Sequence, residues 1–318
     1  MRVSKKGIAL RAALVIIVLA FCTAGFSAAT GEEEQYVVRR GDTISYLAFK
    51  MYGKYDDDIM RILRQRNRHV KNLNRLQAGQ KLYFPALAGA TRRKRERMSA
   101  SAGTAVLTYM SGEVLYKRKG RRVYDLARPN MTFRAGDHIQ TGRNGRAELI
   151  LDNKSVLRLD QHAQLTITEL TFDQKKNVRA GFKFSLGDVW VKVTRFFNKK
   201  ESRFALEMPT AIAGVQGTTY NASVAQDSSA VVRVFEGTVE VKPASATAGP
   251  QRRQIGPPRQ IPGPQQISLA AWVHLVRSNQ EIRIPKRGAP QPPRTFDPSD
   301  AGSWIVWNQQ RDRDFAGQ

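Results

Sequence analysis

Few side chains of this chain are spaced for covalent catalysis. Its one cysteine, Cys22, lies in an N-terminal apolar run, so beyond that run there is no thiol nucleophile and no disulfide staple. The four histidines, His69, His138, His162 and His274, form neither an H-x-H pair nor an H-E-x-x-H motif, the spacings that set two imidazoles on one metal. Gly214-Val215-Gln216-Gly217-Thr218 has the glycines of a phosphate loop but not its Gly-Lys-Ser/Thr ending, and a strand-like segment follows it. Glycines at a bulge or tight bend account for that stretch. Carboxylates for glycan cleavage can meet from any spacing, yet no unassigned stretch has the size of such a domain. The expectation is a protein that is not an enzyme, with no catalytic residues, no metal and no cofactor.

The N-terminus has the organisation of an export signal. Arg2, Lys5, Lys6 and Arg11 precede or begin the apolar run Ala12 to Cys22, and small residues continue to Ala29. A basic segment, an apolar stretch and a small-residue end define a secretory signal, and the run is shorter than the roughly 20 residues of a membrane span. Cleavage after Ala29 is expected, with a periplasmic or cell-envelope destination. Uncleaved, Thr23 to Ala29 would lengthen the run into a membrane anchor. Bulky Phe21 argues against lipidation of Cys22. The formal charge is +25, and +21 without the four basic residues of the signal. Such a charge ordinarily points to nucleic acid; export removes that partner and leaves anionic envelope surfaces, whose attraction is long-ranged and weakened by salt.

Between residues 36 and 85 the pattern is strand, helix, helix, strand. Tyr36-Val37-Val38 is β-branched and aromatic, Gly41 turns the chain, and Asp42 or Thr43 can cap a helix. Ile44, Leu47, Ala48 and Met51 then share one helical face, ended by Gly53. A second helix begins near Asp56–Asp58, carries Ile59, Ile62 and Leu63, and closes at Asn67; Lys81-Leu82-Tyr83-Phe84 supplies the last strand before Pro85. The Gly41-Asp42-Thr43 turn, Asn67 and the run Leu76 to Leu82 together resemble the LysM family, whose members bind the N-acetylglucosamine backbone of peptidoglycan or chitin between two loops. The resemblance implies a glycan groove with Gly41, Asp42, Thr43 and Ile44 on one side and Asn67, Leu76 and Gln77 on the other. Ala78 stands where the family usually has proline, and the loop Arg68 to Arg75 is long and basic. Asp42 and Thr43 also suit helix capping, and Ile44 a core position, with no ligand at all.

From Thr104 the hydrophobic period changes to two. Strands are expected over Val106–Met110, Val114–Lys117, Ala147–Leu151, Val156–Leu159 and Leu165–Ile167. They continue at Phe182–Leu186, Val189–Val193, Phe204–Glu207, Thr218–Val224, Ala230–Phe235 and Val239–Val241, with glycine and Asx turns between. This predicts a sandwich, jelly roll or β-roll. The segments G-D-H-I-Q-T-G from Gly136, R-A-E-L-I-L-D-N-K-S-V-L-R-L from Arg146, L-G-D-V-W-V-K-V, M-P-T-A-I-A-G-V-Q-G-T-T-Y and V-F-E-G-T-V-E-V resemble the FecR-type periplasmic domain. Familiar members of that family relay signals to a sigma factor through a cytoplasmic segment; with about ten residues ahead of the apolar run, that segment is not expected here.

The remainder reads as a tail. Lys242 to Pro264 is rich in proline and glycine, Ile267 to Val276 suits a short amphipathic helix capped by Ser268, and Glu281 to Ile284 suits a strand. Trp304 and Trp307 share a helix face and are expected to dock on the β domain, with a partner or membrane contact as the alternative. The organisation is thus a signal (1–29), a small βααβ (α+β) LysM module (30–88), a basic linker (89–103), an all-β FecR-like domain (104–243) and a proline-rich tail (244–318). The expected function is non-catalytic binding of peptidoglycan, with the β domain presented for sensing or protein contact. The alternatives are a periplasmic signalling regulator without its own sigma-binding segment, and a cell-wall hydrolase accessory or enzyme. The expected partners are peptidoglycan, an envelope protein met through the β domain or tail, and an anionic envelope surface, not nucleic acid.

Overall fold

The computed structural model describes residues 33–87, 101–172, 177–194, 202–244, 273–300 and 302–316. The expected signal and most of the expected basic linker lie outside the described residues. The N-terminal module comprises β1 (Glu34–Val37), α1 (Ile44–Tyr52), α2 (Asp57–Arg66) and β2 (Lys81–Phe84). β1 and β2 pair antiparallel, Tyr36 opposite Leu82. Of the two possible caps for α1, Thr43 serves, accepting from the Tyr46 N–H at 3.2 Å. Asp56 caps α2 through the Ile59 N–H at 2.8 Å, and such caps contribute about 1 kcal/mol each. Ile44, Leu47, Phe49, Ile59, Leu63, Leu82 and Phe84 are buried as the small core.

The β domain starts with β3 (Ser101–Ala102), β4 (Ala105–Ser111), β5 (Val114–Lys117), β6 (Asp125–Leu126), β7 (Thr132–Phe133) and β8 (His138–Thr141). It continues with β9 (Arg146–Leu151), β10 (Val156–Leu159), β11 (Gln164–Phe172), β12 (Val178–Lys192), β13 (Arg203–Glu207) and β14 (Ala211–Val215). β15 (Thr219–Val224), β16 (Ala230–Glu236), β17 (Thr238–Pro243), β18 (His274–Arg277), β19 (Gln280–Ile284) and β20 (Arg294–Thr295) complete it. They form one curled sheet with two faces. One runs β7-β4-β9-β10-β12-β15-β16-β19-β20, the other β6-β5-β8-β11-β12-β13-β14-β17-β18. β12 belongs to both. Its first part lies beside β11 and β13, and from Gly187 onward it pairs with β15. Gly187 has φ +93, and a Cβ there would sit 2.6 Å from the Ala163 Cα, so only glycine passes the crossing.

Two expectations need correction. Phe182–Leu186 and Val189–Val193 are one strand, not two, because Gly187-Asp188 bends the strand instead of ending it. Ala211–Val215, where no strand was expected, is a strand between β13 and β17, and Gly214 and Val215, read as part of a glycine bend, belong to it. The tail also departs from expectation. Where a helix over 267–276 was anticipated, His274–Arg277 is a strand on β17, and β19 pairs with β16; residues 245–272 lie outside the described residues. The β-branched Val276, Ile282 and Ile284 are buried in the sheet core, which extends that core beyond the anticipated boundary at 243.

β4, β9 and β10 are buried on both faces. Leu107, Leu149, Leu151 and Leu157 face the β core, whereas the alternate residues Val106, Ile150 and Val156 belong to the core of the N-terminal module. The module therefore lies on the outside of β4, β9 and β10. A final helix, α3 (Ser303–Ala316), covers the rest of that outer face. Trp304 and Ile305 pack with Trp190, and Phe315 meets Tyr46 of α1 with ring centroids 5.7 Å apart. The docking expected from Trp304 and Trp307 is present, in the form of a 14-residue helix.

Candidate functional site

The loop between β1 and α1 is held from within. Asp42 accepts from the Tyr36 hydroxyl at 3.0 Å and from the Arg39 N–H at 2.7 Å. Burial, then the Asp42 charge, pushes Tyr36 up to about 12, so its hydroxyl stays a donor. Gly41, at φ +90, rests on the β domain: a Cβ would lie 3.2 Å from the Tyr109 ring. The Thr43 hydroxyl, besides capping α1, donates to the Thr108 carbonyl on β4. Ile44 is fully buried.

The loop between α2 and β2 forms the facing wall. Asn67 is buried and wholly engaged. Its Nδ2 donates to the Leu63 and Tyr83 carbonyls at 3.0 and 2.9 Å, and its Oδ1 accepts from the Tyr83 N–H at 2.8 Å. It ties the end of α2 to β2 and leaves no polar atom for a ligand. Leu76 is half-buried and Gln77 exposed; the Gln77 N–H donates to Gln80 Oε1 at 2.9 Å. Of the seven residues implied by resemblance, Gly41, Asp42, Thr43, Leu76 and Gln77 thus keep accessible surface, while Ile44 and Asn67 hold the loops in place.

A third wall comes from the β domain. Arg128-Pro129-Asn130-Met131 forms a turn closed by the Met131 N–H to the Arg128 carbonyl at 3.3 Å, with Asn130 at φ 69. Proline followed by a left-handed Asn is the chemistry of a type II turn. The Asn130 carboxamide touches α1 and the α2–β2 loop: its Oδ1 accepts from the Ser45 N–H at 3.1 Å, and its Nδ2 donates to Asn74 Oδ1 at 3.4 Å. Beside this bridge opens a cleft of about 940 Å³ lined by Tyr55, Met60, Asn72, Asn74 and Arg75 of the module and Arg128 to Met131 of the β domain, with Asp57, Arg61 and Arg64 along α2. Sequence reasoning missed this wall. R-P-N-M announces a turn, but nothing in it says which surface the turn will face.

Behind the loops lies a buried ionic junction. Glu148 on β9 is directly opposite Arg158 on β10 and accepts its Nε at 2.6 Å. Arg311 of α3 adds contacts at 2.6 and 2.8 Å, and the Thr108 hydroxyl another at 2.8 Å. Burial alone would raise Glu148, but Arg311 and Arg158 outweigh it and hold the carboxyl at about 2. The Arg311 guanidinium lies 4.6 Å from the ring centres of both Tyr46 and Tyr109, a cation–π pair linking helix, module and sheet. Asp312 meets Arg158 Nη1 at 2.7 Å and accepts from Trp190 Nε1 at 3.1 Å. Among the described residues no three His, Asp or Glu side chains are grouped as metal ligands.

The LysM domain model matches residues 36–85 and the FecR protein model residues 137–240. The chain carries a LysM domain and a FecR domain. Both are domains of binding and regulation, and both fit a cell-envelope protein. No curated protein matches the chain. Among solved structures, two of a candidate anti-sigma factor from Parabacteroides distasonis ATCC 8503 match at 16% identity with TM-scores of 0.36 and 0.37. The match covers 54% of this chain and 64% of theirs, and likeness at that level says nothing about function. The FecR match ends at residue 240, so β18, β19, β20 and α3 extend the β domain past the matched region. Among the described residues no helix is long and apolar enough to cross a membrane.

Proposed function

We propose that this LysM/FecR protein is a non-catalytic component of the cell envelope that grips peptidoglycan-type glycan through its LysM module and holds the FecR domain in fixed orientation to that glycan. The observation that carries this reading is the matched LysM module, with a β-domain turn bonded to α1 at Ser45 and to the α2–β2 loop at Asn74. Acetamido sugars are recognised by amides, carbonyls and a small apolar surface, and Asn74, Gln77, Leu76 and Asn130 offer these at one edge of the module. The β domain, with its extended sheets, is the surface for protein contact or sensing. Its partner is an envelope protein, and export by residues 1–29 brings the chain to it.

Co-sedimentation of the purified chain with isolated peptidoglycan sacculi tests the reading. Binding that survives moderate salt is expected, and Asn74→Ala with Gln77→Ala weakens it without changing the circular dichroism spectrum. A chain that stays in the supernatant at low salt overturns the glycan reading. One stripped off entirely by moderate salt is held by charge alone.

A further inference from the structure

The cleft between the LysM module and the β domain has more positive charge than a neutral amino sugar needs. Arg61, Arg64 and Arg75 approach it from the module and Arg128 from the β domain, against the single acid Asp57. Arg61 is paired with Asp58. Arg64, Arg75 and Arg128 are exposed and have no ion pair among the described residues. Three asparagines, Asn72, Asn74 and Asn130, lie among them, and Tyr55 and Met60 supply apolar surface. Guanidinium groups bind carboxylates through two parallel N–H···O contacts, carboxamides match acetamido groups, and an aromatic ring adds apolar surface for the C–H bonds of a sugar. No single domain contains this set, since Arg128 and Asn130 belong to a turn that the LysM module lacks.

We infer that the intermodular cleft is a binding site for an acidic amino sugar, an N-acetylated sugar carrying a carboxylate, with Arg64, Arg75 and Arg128 as its anion-recognising groups. The site rests on the glycan reading above but adds a distinct specificity: it prefers a strand bearing carboxylates to a neutral one of equal length. Asn130 orients the turn by its bonds to Ser45 and Asn74, which places Arg128 at the cleft.

Calorimetric titration of the full chain with two tetrasaccharides tests this. One is the N-acetylglucosamine tetramer; the other alternates N-acetylglucosamine with N-acetylmuramic acid, adding a carboxylate on every second sugar. Tighter binding of the acidic tetramer is expected, with Arg64→Gln plus Arg128→Gln weakening it by about tenfold or more and leaving the neutral tetramer unchanged. Arg121→Gln plus Arg122→Gln, outside the cleft lining, controls for net charge and is expected to leave both affinities as they are. Equal affinity of the wild type for the two tetramers overturns the inference while sparing the glycan reading. So does a loss in the control variant equal to that in the cleft variant, which would mean bulk charge alone. Binding of neither tetramer, with sacculi also unbound, overturns both readings.

Discussion

Replacing Glu148 by Gln should loosen the whole junction between module, sheet and C-terminal helix. The side chain is fully buried and receives two arginines, Arg158 and Arg311, of which Arg158 is itself 1% exposed. Gln keeps the shape but removes the charge, leaving Arg158 with Asp312 as its one carboxylate among the described residues, beside neutral contacts to Asn308. Removing one partner of a buried ion pair costs about 3–5 kcal/mol. The acid–base route gives a similar size. The carboxyl is held at about 2 against an ordinary 4.5, and at about 1.4 kcal/mol per pH unit that gap corresponds to roughly 3 kcal/mol. Because the folded value lies below the unfolded one, this stabilisation is fully present above pH 4.5 and is lost as pH falls toward 2. Trp190, Trp304 and Trp307 surround the junction, so urea unfolding followed by tryptophan fluorescence reads it directly. The expected result is a loss of about 3 kcal/mol at pH 7 and a flatter stability profile between pH 4.5 and 2 in the variant. A variant within 1 kcal/mol of wild type at pH 7 would refute the reasoning, since the pair would then be water-accessible or already broken.

Other substitutions probe separate claims. Tyr220 is fully buried and its hydroxyl has no hydrogen-bond partner among the described residues; burial raises its ionisation far above the ordinary value. Tyr220→Phe should therefore be neutral or stabilising by about 1 kcal/mol in thermal melts, and a marked loss would mean the hydroxyl is satisfied. Gly187→Ala puts a Cβ against the Ala163 backbone at φ +93, and a loss of about 2 kcal/mol or more in urea is expected. Glu281 gathers Arg233, Arg283 and Arg294 and is held at about 2 despite its burial. Glu281→Gln should release β20 first, seen as faster hydrogen exchange at residues 294–295 than in wild type. Pro129→Gly plus Asn130→Ala should leave the β core intact but abolish the preference for an acidic sugar, measured by the same titration.

The local elements were legible because their signals are local. Thr43, Gly53, Asp56 and Asn67 bound the two helices by capping chemistry, and alternation marked β5 and β10 to the residue. What stayed hidden depended on distant partners. Glu148 and Arg158 alternate with leucines as an exposed ion pair would, and only α3, more than a hundred residues on, makes them interior. β12 carries Gly-Asp, normally a turn, and its continuity comes from having different neighbours on its two halves. Asn67 looked like a sugar ligand because its position is shared with the family; its three backbone bonds give it a holding role. Arg128 and Asn130 carried no signal for the cleft, since a turn's sequence fixes its shape and not its orientation.

The order in which the chain is made has a consequence for that junction. Residues 36–85 and the strands carrying Glu148 and Arg158 leave the ribosome well before residues 303–316, and the contact from Glu148 to Arg311 spans 163 positions. Until α3 arrives, a half-built sheet presents Trp190, a charged pair and the flank of Tyr46 to whatever surrounds it. A cut between the β domain and residue 303 would reopen that surface. α3 is thus a cover whose removal exposes aromatic and charged groups together, although no bond within the β strands themselves is broken.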